Sequence, residues 1–116
     1  MNQRGQWGED HAVEYLLSND YKILVRNFRT PHGEIDIICS HDDTLVFVEV
    51  KTRKGNLYGN PYESVTPFKR YKMQRAAAEY LRVSNEGSVL TQFDVISIIL
   101  NNGKAALMHF KNAIEA

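Results

Sequence analysis

The stretch GEIDIICSHDDTLVFVEVKTR, Gly33 to Arg53, constrains the fold more than any other part of this chain. Two apolar, β-branched runs, EIDIICS and TLVFVEVKT, flank a short HDD turn, so they read as neighbouring antiparallel strands. Both runs carry charges where a core strand would be apolar. Asp36 interrupts the first, and Glu49 and Lys51 interrupt the second. An unpaired charge buried in a strand is costly. These residues therefore either face solvent or gather around something that needs them.

Side chains alternate along a strand. Glu49 and Lys51 thus share a face with Leu45 and Phe47, while Val46, Val48 and Val50 take the other. In the preceding strand Glu34, Asp36 and Ile38 are expected on one face, opposite Ile35 and Ile37. Asp36 and Glu49 lie 13 positions apart across the hairpin, which brings their side chains close together. Two carboxylates about 4 Å apart repel by roughly 4 kcal/mol at an effective dielectric of 20. A divalent cation removes that repulsion, and oxygen donors suit Mg²⁺ or Mn²⁺. An ammonium at Lys51 would then suit a developing phosphorane charge or a nucleophilic water. The same pattern also fits an exposed strand face of ordinary salt bridges, with Glu49 and Lys51 merely neighbours.

The rest of the chain supplies the frame. Trp7, Ala12, Val13, Leu16 and Leu17 give helical spacing over residues 4–18, with Trp7 read as core. YKILVRNFR is a strand, closed by the turn residues Pro31 and Gly33. After a loop rich in Gly, Asn and Pro, TPFKRYKMQRAAAEYLRV reads as a helix. Thr66 is its N-cap and Pro67 its first residue, where a missing N–H costs nothing. TQFDVISIIL and KAALMHF are strands joined by an NNG hairpin turn. The order α-β-β-β-α-β-β predicts one α/β domain, residues 1–116, built around a mixed sheet flanked by helices.

Charge and cysteine usage narrow the class. The net charge is zero, yet Lys51 to Arg82 holds eight basic residues and two acidic ones, a local +6 against −6 elsewhere. Such asymmetry suggests a polyanionic partner, although a solvated cationic helix face accounts for it equally. The lone cysteine, Cys39, rules out an internal disulfide and fits a reducing compartment. No signal-peptide core or apolar run long enough to span a bilayer is present. A cytoplasmic protein without a membrane partner is expected.

These motifs resemble a known family. GEIDII…VFVEVKTR is similar to the Asp–spacer–Glu–x–Lys signature of the PD-(D/E)XK, or restriction-endonuclease-like, superfamily. Within it, the chain resembles the YraN-like family of bacterial proteins. The likeness runs through GEDHAVEYL, NFRTPHGEIDII, LVFVEVKTR, VTPFKR, QFDVI and FKNAI, nearly the whole length.

The resemblance implies a restriction-endonuclease-like α-β-β-β-α-β core with a C-terminal hairpin strand. It puts the catalytic roles on Asp36, Glu49 and Lys51, with Mg²⁺ or Mn²⁺ held by Asp36, Glu49 and the Val50 carbonyl. In related Holliday-junction resolvases a glutamate on the first helix joins the metal site, and its match here is Glu9. Ile35 stands where the superfamily's signature has proline, a departure it tolerates. The implied activity is DNA phosphodiester hydrolysis leaving a 5′-phosphate, on junction or branched DNA. Junction cleavage would call for a homodimer. The alternatives are a nucleic-acid-binding module of the same fold with weak or no cleavage, RNA being left open as ligand, and a protein-interaction scaffold.

Other residues take secondary places. Glu9 reads either as a metal ligand or as a first-turn acid favoured by the helix dipole. Glu14 reads as solvated. Glu34 is a neighbour of Asp36 or a salt-bridge partner of Arg53. Lys69, Lys72 and Arg75 recur along one side of the second helix and suit phosphates, as does Arg53. Gln74 reaches the site if that helix packs beside the third strand. Tyr58 and Tyr62, around the loop Gly55–Pro61, read as base-stacking residues or as part of an ordinary connector. Asp94 reads as a buried hydrogen-bonding residue. Cys39, His11, His32 and His41 match no zinc-ligand spacing, and Cys39 reads as a small core residue.

Overall fold

Among the described residues, five strands form a single mixed sheet in the order in which the chain makes them. The structure, a computed structural model, describes residues 3–54, 66–85 and 89–114. Helix α1 (Gln3–Ser18) leads into strands β1 (Lys22–Thr30), β2 (Gly33–His41) and β3 (Thr44–Lys54). Helix α2 (Pro67–Ser84) follows, then β4 (Leu90–Asn101) and β5 (Lys104–Phe110). The first three strands meander antiparallel. β4 then pairs parallel to β3, and β5 returns antiparallel to β4. This is the α-β-β-β-α-β core with a C-terminal hairpin strand that the order of elements predicts. No helix among the described residues is long and apolar enough to cross a membrane.

Local chemistry explains the boundaries. Asp42 and Asp43 adopt φ of 47° and 62°, and Asn102 and Gly103 adopt 51° and 75°. Both hairpins therefore turn through two left-handed residues, whose twist matches that of the flanking strands. Thr66 Oγ1 accepts the Lys69 N–H at 3.1 Å, capping α2. The helix ends at Asn85, also left-handed.

The helices cover opposite faces of the sheet. Met73, Ala76, Ala77 and Tyr80 of α2 pack on Ile35, Ile38, Phe47 and Phe93. Ala12 and Leu16 of α1 pack on Ile37, Val46, Val48, Ile96 and Ile98. Strict alternation fails in β2. Ile35 lies on the α2 side with Ile38, whereas Ile37 lies on the α1 side with Cys39. The expectation that Ile35 and Ile37 share a face is corrected: β2 turns over at Asp36. On β1, Asn27 lies between the partners of Ile37 and Ile35 and holds φ of 55°. That is a left-handed kink, which asparagine tolerates better than most residues.

Trp7 is also corrected. It is 39% exposed and stacks on His11, with ring centroids 5.2 Å apart. The buried positions beside it belong to Gly8 and Glu9. A Cβ on Gly8 would sit 2.0 Å from Thr52 Oγ1, so α1 presses its backbone onto β3 there.

Gly33 does the same for α2. A Cβ there would lie 2.8 Å from the Lys72 carbonyl oxygen, a backbone atom with little room to retreat. Gly33→Ala is expected to cost roughly 1–3 kcal/mol, the usual range for overpacking. Urea denaturation should show a lower midpoint with an unchanged slope. A wild-type midpoint would mean that α2 can lift from β2 at no cost.

Candidate functional site

Asp36 stands where β2 and β3 part. Their ladder begins at Ile37 and Val48. Beyond it, Asp36 Oδ2 accepts the Val50 N–H at 2.8 Å. A side-chain carboxylate takes the place of a ladder carbonyl, which holds Asp36 against β3 next to Glu49. Glu49, on the α2 side of β3, is only 6% exposed. Two ammonium groups meet its Oε1: Lys69 Nζ at 2.6 Å from α2 and Lys51 Nζ at 3.5 Å from β3. The charged interruptions in the two strands thus gather in one place rather than facing solvent separately.

Their electrostatics follow from that crowding. Burial, then the charge of Glu49, pushes the Asp36 carboxyl up to about 7. The Val50 hydrogen bond acts against this rise, while Glu9 and Glu34 add to it. Burial, then the neighbouring Lys69, lowers the proton affinity of Lys51. Burial also works against the charge of Lys69, but its contacts with Glu49 and Lys51 outweigh burial and hold its pKa above the ordinary lysine value.

Glu9 approaches from α1 and is 8% exposed. Its Oε1 accepts from Arg26 Nε and Asn27 Nδ2, each at 2.9 Å. Because α1 already begins at Gln3 and has no acid in its first turn, the helix-dipole reading of Glu9 is corrected. Among the described residues, no three carboxylate, imidazole or thiol side chains converge as a metal-binding group. Asp36 and Glu49 instead supply a two-carboxylate set. Their hard oxygens and the excess of negative charge felt by Asp36 suit a divalent cation.

A cleft of roughly 550 Å³ opens beside Glu49, with Lys69, Lys72, Arg29, Phe68 and Glu34 along its walls. Glu34 pairs with Arg29 at 3.2 Å. Arg53 continues β3 two residues beyond Lys51 and is half-buried, as is Gln74 on α2. α2 packs across β2 and β1, and its Lys69 side chain reaches Glu49. Lys72 and Arg75 instead lie over aromatic rings of their own helix. Tyr58, Tyr62 and their loop lie outside the described residues.

The remaining candidates have structural surroundings. Asp94 is fully buried and accepts from Gln92 Nε2 at 2.8 Å and the Asn112 N–H at 2.9 Å. His109 Nε2 meets its other oxygen at 2.7 Å. Cys39 is fully buried, and burial first, then Asp94, pushes its thiol up to about 12. The histidines are dispersed: His11 lies on Trp7, His41 on Tyr21 and His32 beside Arg75. Sequence reasoning assigned Lys69 to phosphates and missed its contact with Glu49. It also missed Arg26 and Asn27 as the hold on Glu9. A cationic N3 residue behind Thr66-Pro67 was the available signal for Lys69, but its target depends on where α2 lands.

An α-β-β-β-α-β core with Asp36, Glu49 and Lys51 at the parting of its hairpin defines a protein of the restriction-endonuclease-like, PD-(D/E)XK class. The chain belongs to the YraN-like family described as Uncharacterised protein family UPF0102, which matches residues 8–98. It is 46% identical to the UPF0102 protein of Syntrophomonas wolfei, over 97% of this chain and 99% of that one. It is 48% identical to the UPF0102 protein of Clostridium tetani, over 86% and 82% of the two chains. With the UPF0102 protein of Geobacter metallireducens the identity is 44%, over 96% and 91%.

The raised proton affinity of Asp36 makes metal-free stability depend on pH. Its protonated form contributes fully below the ordinary aspartate value of 3.8, and that contribution is lost as pH rises through about 7. Asp36→Asn stays neutral and can still accept the Val50 N–H. At ~1.4 kcal/mol per tenfold change in proton affinity, it should stabilise the metal-free protein at pH 8 by on the order of 2–4 kcal/mol. The gain should vanish near pH 4. Thermal melts in chelator across this range check it, and a pH-independent difference would rule out the titration.

Proposed function

We propose that this protein is a metal-dependent endonuclease that hydrolyses DNA phosphodiester bonds in the cytoplasm, with junction or branched DNA as substrate. The observation that carries the reading is the meeting of Asp36, Glu49 and Lys51 beside a cleft walled by Arg29, Lys69 and Lys72. Asp36, Glu49 and the Val50 carbonyl would hold Mg²⁺ or Mn²⁺, with Glu9 joining directly or through water. Bound there, the ion would polarise a phosphoryl oxygen and acidify a water.

The chain's own residues would do the rest. Lys51 orients the attacking water and faces the charge that develops on the pentavalent phosphorus. Its lowered proton affinity, from burial and from Lys69, makes it readier than an exposed lysine to share a proton. Arg53, Lys72, Gln74 and Arg75 hold the strand on either side, chiefly through its phosphates. The product carries a 5′-phosphate. Symmetric cutting of a junction requires two copies of the chain.

A second reading has one specific observation in its favour. Lys69 already lies 2.6 Å from Glu49, so the chain's own side chains balance that carboxylate. A nucleic-acid-binding module with little cleavage would look the same.

Labelled four-way junctions, flaps, duplexes and single strands, incubated with Mg²⁺ or Mn²⁺, separate the two. Cleavage by the wild-type protein is expected, with losses of at least roughly 100-fold in Asp36→Asn, Glu49→Gln and Lys51→Ala, the scale of losing one transition-state contact. Chelator should abolish it. If no DNA is cut while wild type and Asp36→Asn bind equally well, the endonuclease reading is wrong and the binding module stands.

A further inference from the structure

Two aromatic residues on the outer flank of α2 take no part in the core. Phe68 is 68% exposed and Tyr71 52% exposed, although the same helix buries Met73, Ala76, Ala77 and Tyr80. Leaving a large ring in water forgoes a favourable transfer. Two exposed rings three residues apart on one side of a helix therefore mark a contact surface.

Each ring carries a cation one turn further on. Lys72 Nζ stands 5.0 Å from the Phe68 ring centroid. The Arg75 guanidinium lies 5.6 Å from that of Tyr71, and its Nη1 donates to the Tyr71 hydroxyl at 2.7 Å. Positions 68, 71, 72 and 75 share one side of a helix. Phe68 and Lys72 also line the cleft that contains Glu49 and Lys69, so the aromatic flank begins where the carboxylate cluster ends.

Flat π-faces interleaved with cations are the chemistry that receives an unpaired nucleic-acid strand. The rings stack on bases in a sequence-tolerant way, and the cations meet the phosphates. A continuous duplex keeps its base faces inside its own stack and offers such rings nothing. The geometry points to a base-stacking platform made by Phe68 and Tyr71, flanked by Lys72 and Arg75, which holds unpaired nucleotides of a DNA strand entering the cleft beside Glu49. This rests on the reading of that cleft as a DNA site. It names the preferred substrate class: strands with unpaired bases, such as single strands, flaps and splayed junction arms, over continuous duplex.

Binding measured in chelator tests the platform without any cutting. A single-stranded oligonucleotide carrying 2-aminopurine, and the duplex of the same sequence, are titrated with wild type, Phe68→Leu, the double variant Phe68→Leu/Tyr71→Leu, and Lys72→Ala. Both rings are exposed, so the leucine variants should keep the wild-type melting temperature. The wild type should favour the single strand and alter the 2-aminopurine emission. The double variant should lose roughly 5- to 100-fold in single-strand affinity, the value of stacking contacts, with an unchanged salt slope and unchanged duplex binding. Lys72→Ala should instead lower the salt slope by about 0.7, the share of one phosphate contact on a single strand.

Unchanged affinity and emission in the double variant, or equal wild-type affinity for single strand and duplex, would overturn the platform. If the wild type also cuts DNA, the platform alone falls. If it binds no DNA in any form, the reading of the cleft falls with it. Binding to anionic phospholipid vesicles that needs Phe68, with oligonucleotide binding untouched, would assign the surface to a membrane and also overturn the proposal.

Discussion

The hydrogen bond from the Val50 N–H to Asp36 Oδ2 is the constraint on which the site depends. It replaces a rung of the β2–β3 ladder with a side chain. That substitution lets the two strands separate without leaving the amide unpaired, which would be costly at this half-buried position. It also leaves the Asp36 carboxyl near Glu49 in a poorly solvated place. A chain selected for stability alone would put a neutral acceptor here. The carboxylate that remains raises the energy of the metal-free fold at neutral pH, in the manner of sites kept for chemistry rather than for stability.

Around this bond, close backbone approach sets the distances. Gly33 lets α2 come down on β2, and Gly8 lets α1 come down on β3 beside Thr52. Lys69 and Glu9 are thereby delivered from opposite faces of the sheet toward the same end of the hairpin. Each arrives already held: Lys69 by Glu49, and Glu9 by Arg26 and Asn27. The side chains are thus ordered by the chain itself, which limits how much reorganisation any ligand would have to drive.

What could be read from the amino acids was what local chemistry controls. HDD and NNG specified their hairpins because adjacent left-handed residues have few other uses. Thr66-Pro67 located the start of α2 because capping involves only neighbouring residues. The facing of Glu49 with Phe47 followed from strand alternation, which holds along β3. The same rule failed in β2, because the reversal at Asp36 is imposed by Val50 and accompanied by a kink at Asn27, both on other strands. Trp7 misled because helical spacing identifies a stripe without saying which edge of it meets the sheet. Glu9 looked like a first-turn acid although a helix starting at residue 4 already puts it in the second turn, and the residues that hold it, Arg26 and Asn27, lie on β1. The partner of Lys69 depends on the landing point of α2, which no short window encodes.

The parallel pairing of β3 with β4 has a consequence for how the chain reaches this state. Thr44 pairs with Leu90 and Lys54 with Leu100, so one side of β3 waits for a strand made some 46 residues later. Until α2 has crossed over, TLVFVEV is an open apolar edge beside a quickly formed hairpin, and non-local pairing of this kind is slow. Such edges recruit other chains unless charges interrupt them. Glu49 and Lys51 interrupt this one. The residues that make up the candidate centre in the folded protein would thus guard the nascent chain against aggregation.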